Sequence, residues 1–174
     1  MNWSDHINKG KLIEDEFAEN LKDVVKATKE QDLYEHWDIE GILQGKRLRF
    51  DVKDMKRFNR KDNEPQDEMA CVEYVGISGH PGWARGNADA IAFKRKKYSW
   101  LVVDRQSLWY MIKKKLWERY HSESNGTQYV KEPYVTYDRS IYGRKDKFCW
   151  VPYLDIEKLW GLKITNSHNN GEHI

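Results

Sequence analysis

Cysteine is scarce in this chain: Cys71 and Cys149 are the two thiols in 174 residues. Two thiols build neither a disulfide framework nor a paired CxxC zinc site. Their apolar and aromatic neighbours mark both as buried positions. Long apolar runs are missing as well. No stretch approaches the roughly 20 residues of a membrane-crossing helix, and the opening MNWSDHINKGK has no apolar secretory core. The expectation is a soluble, cytoplasmic chain with no membrane partner. Excess charge of one sign is also lacking. Thirty Lys and Arg against 28 Asp and Glu leave +2, too little to imply nucleic acid by itself. There is neither an internal repeat nor a low-complexity tract, which excludes a repeat architecture.

What is present is an ordinary balance of 33 % charged and 39 % hydrophobic residues. It suits one domain over residues 1–165, followed by a polar tail, 166–174, expected to be disordered. From Asn8 to about Thr28, Leu12, Ile13, Phe17, Leu21, Val24 and Val25 recur at helical spacing, with Gly10 marking the start. From Trp37 to Lys53 the period drops to two, which predicts a hairpin turning at Gln44-Gly45. Residues Asp54 to Met69 read as a charged loop. Cys71–Ser78, Ala88–Phe93 and Tyr98–Val103 read as strands, the last two joined by the basic turn Lys94–Lys97. Ser107 is a candidate cap for a helix carrying Leu108, Ile112, Leu116 and Tyr120. A polar turn at Asn125-Gly126, a second hairpin over Tyr134–Ile141 and Phe148–Val151, and a short helix over Tyr153–Trp160 complete the chain. The class is α/β or α+β with a mixed central sheet flanked by helices.

The first hairpin carries the chemistry. With Gln44 and Gly45 as the turn, facing pairs sum to 89, which sets Asp38 opposite Asp51. Like charges so placed repel. A divalent cation between them removes the penalty, and magnesium takes one or two carboxylates with waters and phosphate. Lys53 emerges on the same face as Asp51, where it can orient or deprotonate a water or stabilise charge on phosphorus.

Asp51-Val52-Lys53, preceded by Asp38, resembles the active-site signature of the PD-(D/E)XK nuclease superfamily, with Trp37 where the name-giving proline would stand. Lys9-Gly10-Lys11-Leu12-Ile13-Glu14-Asp15-Glu16-Phe17 resembles the opening helix of archaeal-type Holliday-junction resolvases within it. The likeness covers residues 9–53. It implies a restriction-endonuclease-like core and phosphodiester hydrolysis leaving a 5′-phosphate and a 3′-hydroxyl. Asp38, Asp51 and the Val52 carbonyl would bind Mg2+, with Mn2+ able to substitute. Glu14 would hold metal-bound water or a second ion, and Lys53 would act on the attacking water. Glu16 lies about 200° further round the helix, so Glu14 is preferred.

Branched DNA is the expected substrate of a resolvase-like enzyme, a homodimer if two strands are cut, with no small-molecule cofactor. A restriction, homing or repair nuclease of the same fold, or a non-catalytic nucleic-acid-binding module, are the alternatives. The candidate nucleic-acid contacts are Lys56, Arg57, Arg85, Lys96, Lys97, Arg105, Lys113 and Lys114. The loop His80–Gly86 joins glycines, Arg85 and Trp83, which suits either a ligand loop or a turn over a buried tryptophan. His36 reads as a polar strand-end residue, and Asp89 and Asp104 as structural carboxylates. The eight tryptophans suit core filling or base stacking.

Overall fold

The computed structural model describes residues 3–59, 61–122, 132–138 and 143–165. The Asn125-Gly126 turn, residues 139–142 of the second hairpin and the tail 166–174 lie outside them. Helix α1 spans Trp3–Ala18, so Gly10 sits within it and not at its start. The predicted continuation to Thr28 is corrected. Asn20 folds back onto the helix end, its Nδ2 donating to the Phe17 carbonyl at 3.1 Å. The chain then extends as β1 (Lys22–Lys26), which pairs with β2 (Ile39–Leu43). Val24 and Val25 are β-branched and fit the strand as well as they fitted the helical period.

β2 and β3 (Lys46–Lys53) form the expected hairpin, with Leu43 opposite Lys46 and Ile39 opposite Phe50. Gln44 and Gly45 take φ of 49° and 79°, as a two-residue turn of the mirror-image type demands. β4 (Met69–Val75) departs from the predicted Cys71–Ser78 and leaves the main sheet. It pairs instead with β8 (Lys147–Pro152), and β8 with the short β7 (Tyr137–Asp138). β5 (Ala90–Lys94) returns to lie parallel to β3, and β6 (Trp100–Asp104) follows antiparallel. Helix α2 (Arg105–Ser122) is capped by Asp104, whose Oδ1 accepts the Ser107 N–H at 2.6 Å; Ser107 is therefore not the cap. α3 is a single turn, Tyr153–Ile156, shorter than predicted. β9 (Gly161–Ile164) then joins β6, where a Cβ at Gly161 would stand 2.5 Å from the Val102 carbonyl oxygen.

The result is a mixed six-stranded sheet, β1-β2-β3-β5-β6-β9, with a three-stranded sheet beside it. Along β5, Ala90 and Ala92 face one core while Ile91 and Phe93 face another. In the first core Phe17 of α1 packs edge-on against Phe50 and Trp100, with ring centres 5.1 and 5.0 Å away. In the second, Leu108 and Ile112 of α2 meet Val72, Cys149 and Val151 of the smaller sheet. Covering both faces explains why β5 is a continuous apolar run and does not alternate. No helix among the described residues is long and apolar enough to cross a membrane.

Candidate active site

Asp51 is 2 % exposed, two residues before the end of β3, on the face away from Phe50 and Val52. Its Oδ1 lies 2.5 Å from the Lys53 ammonium. Its Oδ2 is buried and accepts from no N–H or O–H donor, while the Asp38 carboxyl stands within hydrogen-bond reach of the Asp51 carboxyl. Burial raises the Asp51 carboxyl well above its ordinary range; Lys53 pulls it down and Asp38 pushes it further up.

Asp38 stands just before β2, and the expected square pairing with Asp51 is corrected. The Asp38 N–H donates to the Phe50 carbonyl at 2.8 Å, so Asp38 lies outside the regular ladder. Its side chain leans along β3, where Oδ2 accepts the Val52 N–H at 2.6 Å. The two carboxyls are still neighbours, because turn geometry fixed the register.

Glu14 reaches the same region from α1. It lines an open cleft of about 750 Å³ with Lys26, Thr28, Asp32 and Asp38, whereas neither Asp51 nor Lys53 lines that cleft. Burial first, then Asp38, raises the Glu14 carboxyl to about 7. Lys26 stands 4.0 Å away and pulls the other way. Glu16 points elsewhere and pairs with Lys94.

Lys53 is held charged. Burial alone would lower its pKa, but the Asp51 and Asp38 carboxylates outweigh that and raise it. Its Nζ sits 5.1 Å from the centre of the Trp83 ring. Trp83 is 8 % exposed, in a short helical turn, Trp83–Arg85, so the 80–86 loop carries a buried tryptophan. That loop is clamped to the chain before β2. His36 Nε2 bonds the Pro81 carbonyl at 2.9 Å, and the Asn87 N–H donates to the Glu35 carbonyl at 2.6 Å. Gly86 is required there, because a Cβ would stand 2.6 Å from that of His36.

Two members of the site were missed from the sequence. Asp32 lies on a single wide helical turn, Gln31–Glu35. Its carboxyl is raised by the surrounding protein and by Asp38, against Lys53 and His36. The signal was present as Thr28-x-x-Gln31. The Thr28 N–H donates to Gln31 Oε1 at 2.9 Å and the Gln31 N–H to Thr28 Oγ1 at 3.2 Å, a capping box. Lys26 was missed because the helix was extended through it.

The outlying candidates divide. Lys56, Arg57, Lys97 and Lys113 are exposed. Arg85 is exposed and lies 5.8 Å from the Trp109 ring centre. Lys96 pairs with Glu64 at 3.0 Å and Lys114 with Glu118 at 3.9 Å. Arg105 Nε donates to the Ala88 carbonyl at 2.8 Å, which commits its guanidinium to the fold. Arg95, within the basic turn, is 6 % exposed and bonded to Asp67 and Glu157. Asp89 accepts the Arg49 N–H at 2.8 Å, a structural role like that of Asp104.

Among the described residues no three His, Cys, Asp or Glu side chains are already gathered as a metal-ligating group. The donor chemistry nonetheless suits a hard cation. A buried carboxylate oxygen that accepts from no N–H or O–H donor, beside a second carboxylate, is the set that magnesium uses with water completing its shell. Comparison with family models, with curated proteins and with solved structures returns no match.

Proposed function

We propose that this chain is a divalent-metal-dependent endonuclease of restriction-endonuclease-like fold, hydrolysing DNA phosphodiesters. The observation that carries the reading is the buried, half-partnered carboxyl of Asp51 between Asp38 and a charged Lys53. Such an arrangement costs stability in the free protein and gains a use when a cation and a phosphate arrive together.

Asp38 and Asp51 would hold Mg2+ or Mn2+, with the Val52 carbonyl and Glu14 as further oxygen donors. When bound, the cation lowers the pKa of its water and polarises a phosphoryl oxygen. Lys53, held protonated, faces the phosphate as a fixed positive charge and stabilises the charge that builds on its oxygens. This favours charge stabilisation over proton abstraction as its role. Trp83 beneath the ammonium keeps it in place. Glu14, whose carboxyl is raised to about 7 by burial and by Asp38, would give up its proton when a cation binds and hold the metal or its water. Exposed Lys56 and Arg57, just beyond β3, extend the positive surface along a DNA backbone. Branched DNA is the substrate class proposed, and a homodimer would supply the second active site for two-strand cleavage.

The test is a panel of branched, duplex and single-stranded DNA, with magnesium or chelator. Cuts that need metal and vanish in Asp51→Asn and Lys53→Ala uphold the reading. Tight binding with no cut in any metal replaces it with a non-catalytic binding module.

A further inference from the structure

Lys53 is surrounded by groups from separate parts of the chain. Pairing within the six-stranded sheet fixes the backbone of Asp38 and of Lys53. Asp32 and Trp83 lie outside that sheet, on the turn Gln31–Glu35 and on the arm between β4 and β5. Both act on the Lys53 ammonium, Trp83 from 5.1 Å and Asp32 as a nearby negative charge. We propose that His36 is a positioning residue, which ties this turn to this arm and so aims Lys53 at the phosphate. The proposal deepens the nuclease reading and rests on it.

Three features support the tie. The first is the chemistry of the bond. A carbonyl oxygen only accepts, so the His36 Nε2 that stands 2.9 Å from the Pro81 oxygen carries a proton and donates it. The second is the backbone. His36 ends the Asp32 turn with φ 55° and ψ 59°, in the left-handed region. That reversal leads from the turn to Asp38 within two residues. The third is the fit between the two segments. Pro81 is bridged to Val75 at the end of β4, and Gly86 leaves room for the His36 Cβ. The Asn87 N–H donates to the Glu35 carbonyl at 2.6 Å, so the arm is fastened on both sides of Trp83.

Of those two fastenings, the Asn87 bond is made by backbone alone, whereas the Pro81 bond comes from a side chain and yields to substitution. Misplacing a reacting group by about 1 Å can cost roughly 10²-fold in rate, more than one hydrogen bond usually contributes to folding. The signature of a positioning role is therefore a rate loss in a chain that stays folded.

Two substitutions isolate the bond. His36→Gln keeps an N–H donor at about the reach of Nε2. His36→Asn suits the left-handed backbone but is too short to meet Pro81. The first readout is fluorine NMR of the metal-free protein carrying fluorotryptophan, with the Trp83 line assigned by its loss in Trp83→Phe. That line should shift or broaden in His36→Asn and return in His36→Gln. The second is single-turnover cleavage, compared where melts show every chain folded. The rate at saturating DNA should fall roughly 10- to 10²-fold in His36→Asn, with half-saturation unchanged, and His36→Gln should recover most of it. Equal losses in both variants overturn the positioning role. A rise in half-saturation at an unchanged maximal rate makes His36 a DNA contact and overturns it as well. A Trp83 line that moves in His36→Asn and returns in His36→Gln, in a protein that cuts no DNA in any metal, sinks the nuclease reading and leaves the tie standing. Cutting with an unmoved Trp83 line sinks the tie alone.

Discussion

Lys53 stands over Trp83, its ammonium 5.1 Å from the ring centre, with Asp51 2.5 Å away on another side. A residue at the end of β3 is thus held by its own strand and by a loop about thirty positions later in the chain. A flexible lysine becomes a directed charge.

Lys53→Ala should lower single-turnover cleavage by roughly 10²–10³, the loss typical of one preorganised charge-stabilising donor. The midpoint of denaturant unfolding should fall too, because the buried Asp51 carboxyl loses its cationic partner, so rates are compared where both chains are folded. Rapid-quench rates at saturating DNA check the first part and equilibrium unfolding the second. An unchanged rate would remove Lys53 from the chemistry.

Asp51→Asn should make the metal-free protein more stable. Its carboxyl is raised in the folded state, so ionising it near neutrality costs folding free energy, and the neutral amide removes that cost. The melting temperature should rise by about 2–4 °C per kcal/mol recovered in a chain of this size, and stabilisation by added magnesium should disappear. Asp38→Asn keeps an acceptor for the Val52 N–H and should be near neutral without metal, whereas Asp38→Ala loses that bond. Melts in magnesium and in chelator decide between these outcomes.

Glu14 gives a pH signature. Its carboxyl moves from 4.5 to about 7 on folding. Between those values the folded chain binds more protons than the unfolded one, so stability falls as pH rises through the window. The contribution is complete below about 4.5 and lost above about 7, with a span of up to about 3 kcal/mol at ~1.4 kcal/mol per pH unit. Stability of wild type minus Glu14→Gln, measured by urea unfolding across that range without metal, should trace this slope. A flat difference would place Glu14 outside the cluster.

Phe17→Ala should cost about 3–5 kcal/mol, as for other buried aromatics replaced by alanine. Phe17 is fully buried between Phe50 and Trp100 and fixes the helix that carries Glu14. Denaturant titration gives the loss, and magnesium-induced stabilisation should weaken with it.

The hairpin was legible because its register follows from one two-residue turn and a period of two, and both are local. Asp51 and Lys53 could therefore be placed on one face from spacing alone, whereas the departure of Asp38 from the ladder could not. The boundary between α1 and β1 was not legible, because Leu21, Val24 and Val25 satisfy the helical period, while the partner that makes them a strand, β2, lies over ten residues further on. Asp32 was hidden by a helical turn too short to show periodicity, although its capping box was written in Thr28 and Gln31. β4 reads as a strand in either sheet; its assignment to the smaller one depends on β8, more than seventy residues later. Trp83 could be expected to be buried, but nothing local says that it lies under Lys53.

The parallel junction between β3 and β5 has a consequence for folding. Each side of it contains pairings that close over short loops, β2 with β3 and β5 with β6, while the junction itself must close over residues 54–89. Contacts of long sequence separation form slowly, so the hairpins can assemble before the seam, and the β4–β8 pairing, which closes over more than seventy residues, later still. Lys53 reaches the ring of Trp83 only across that late connection. A nascent or partly opened molecule would thus keep both hairpins while its lysine charge stood unaimed, and acquisition of the proposed activity would report the docking of one hairpin on the other.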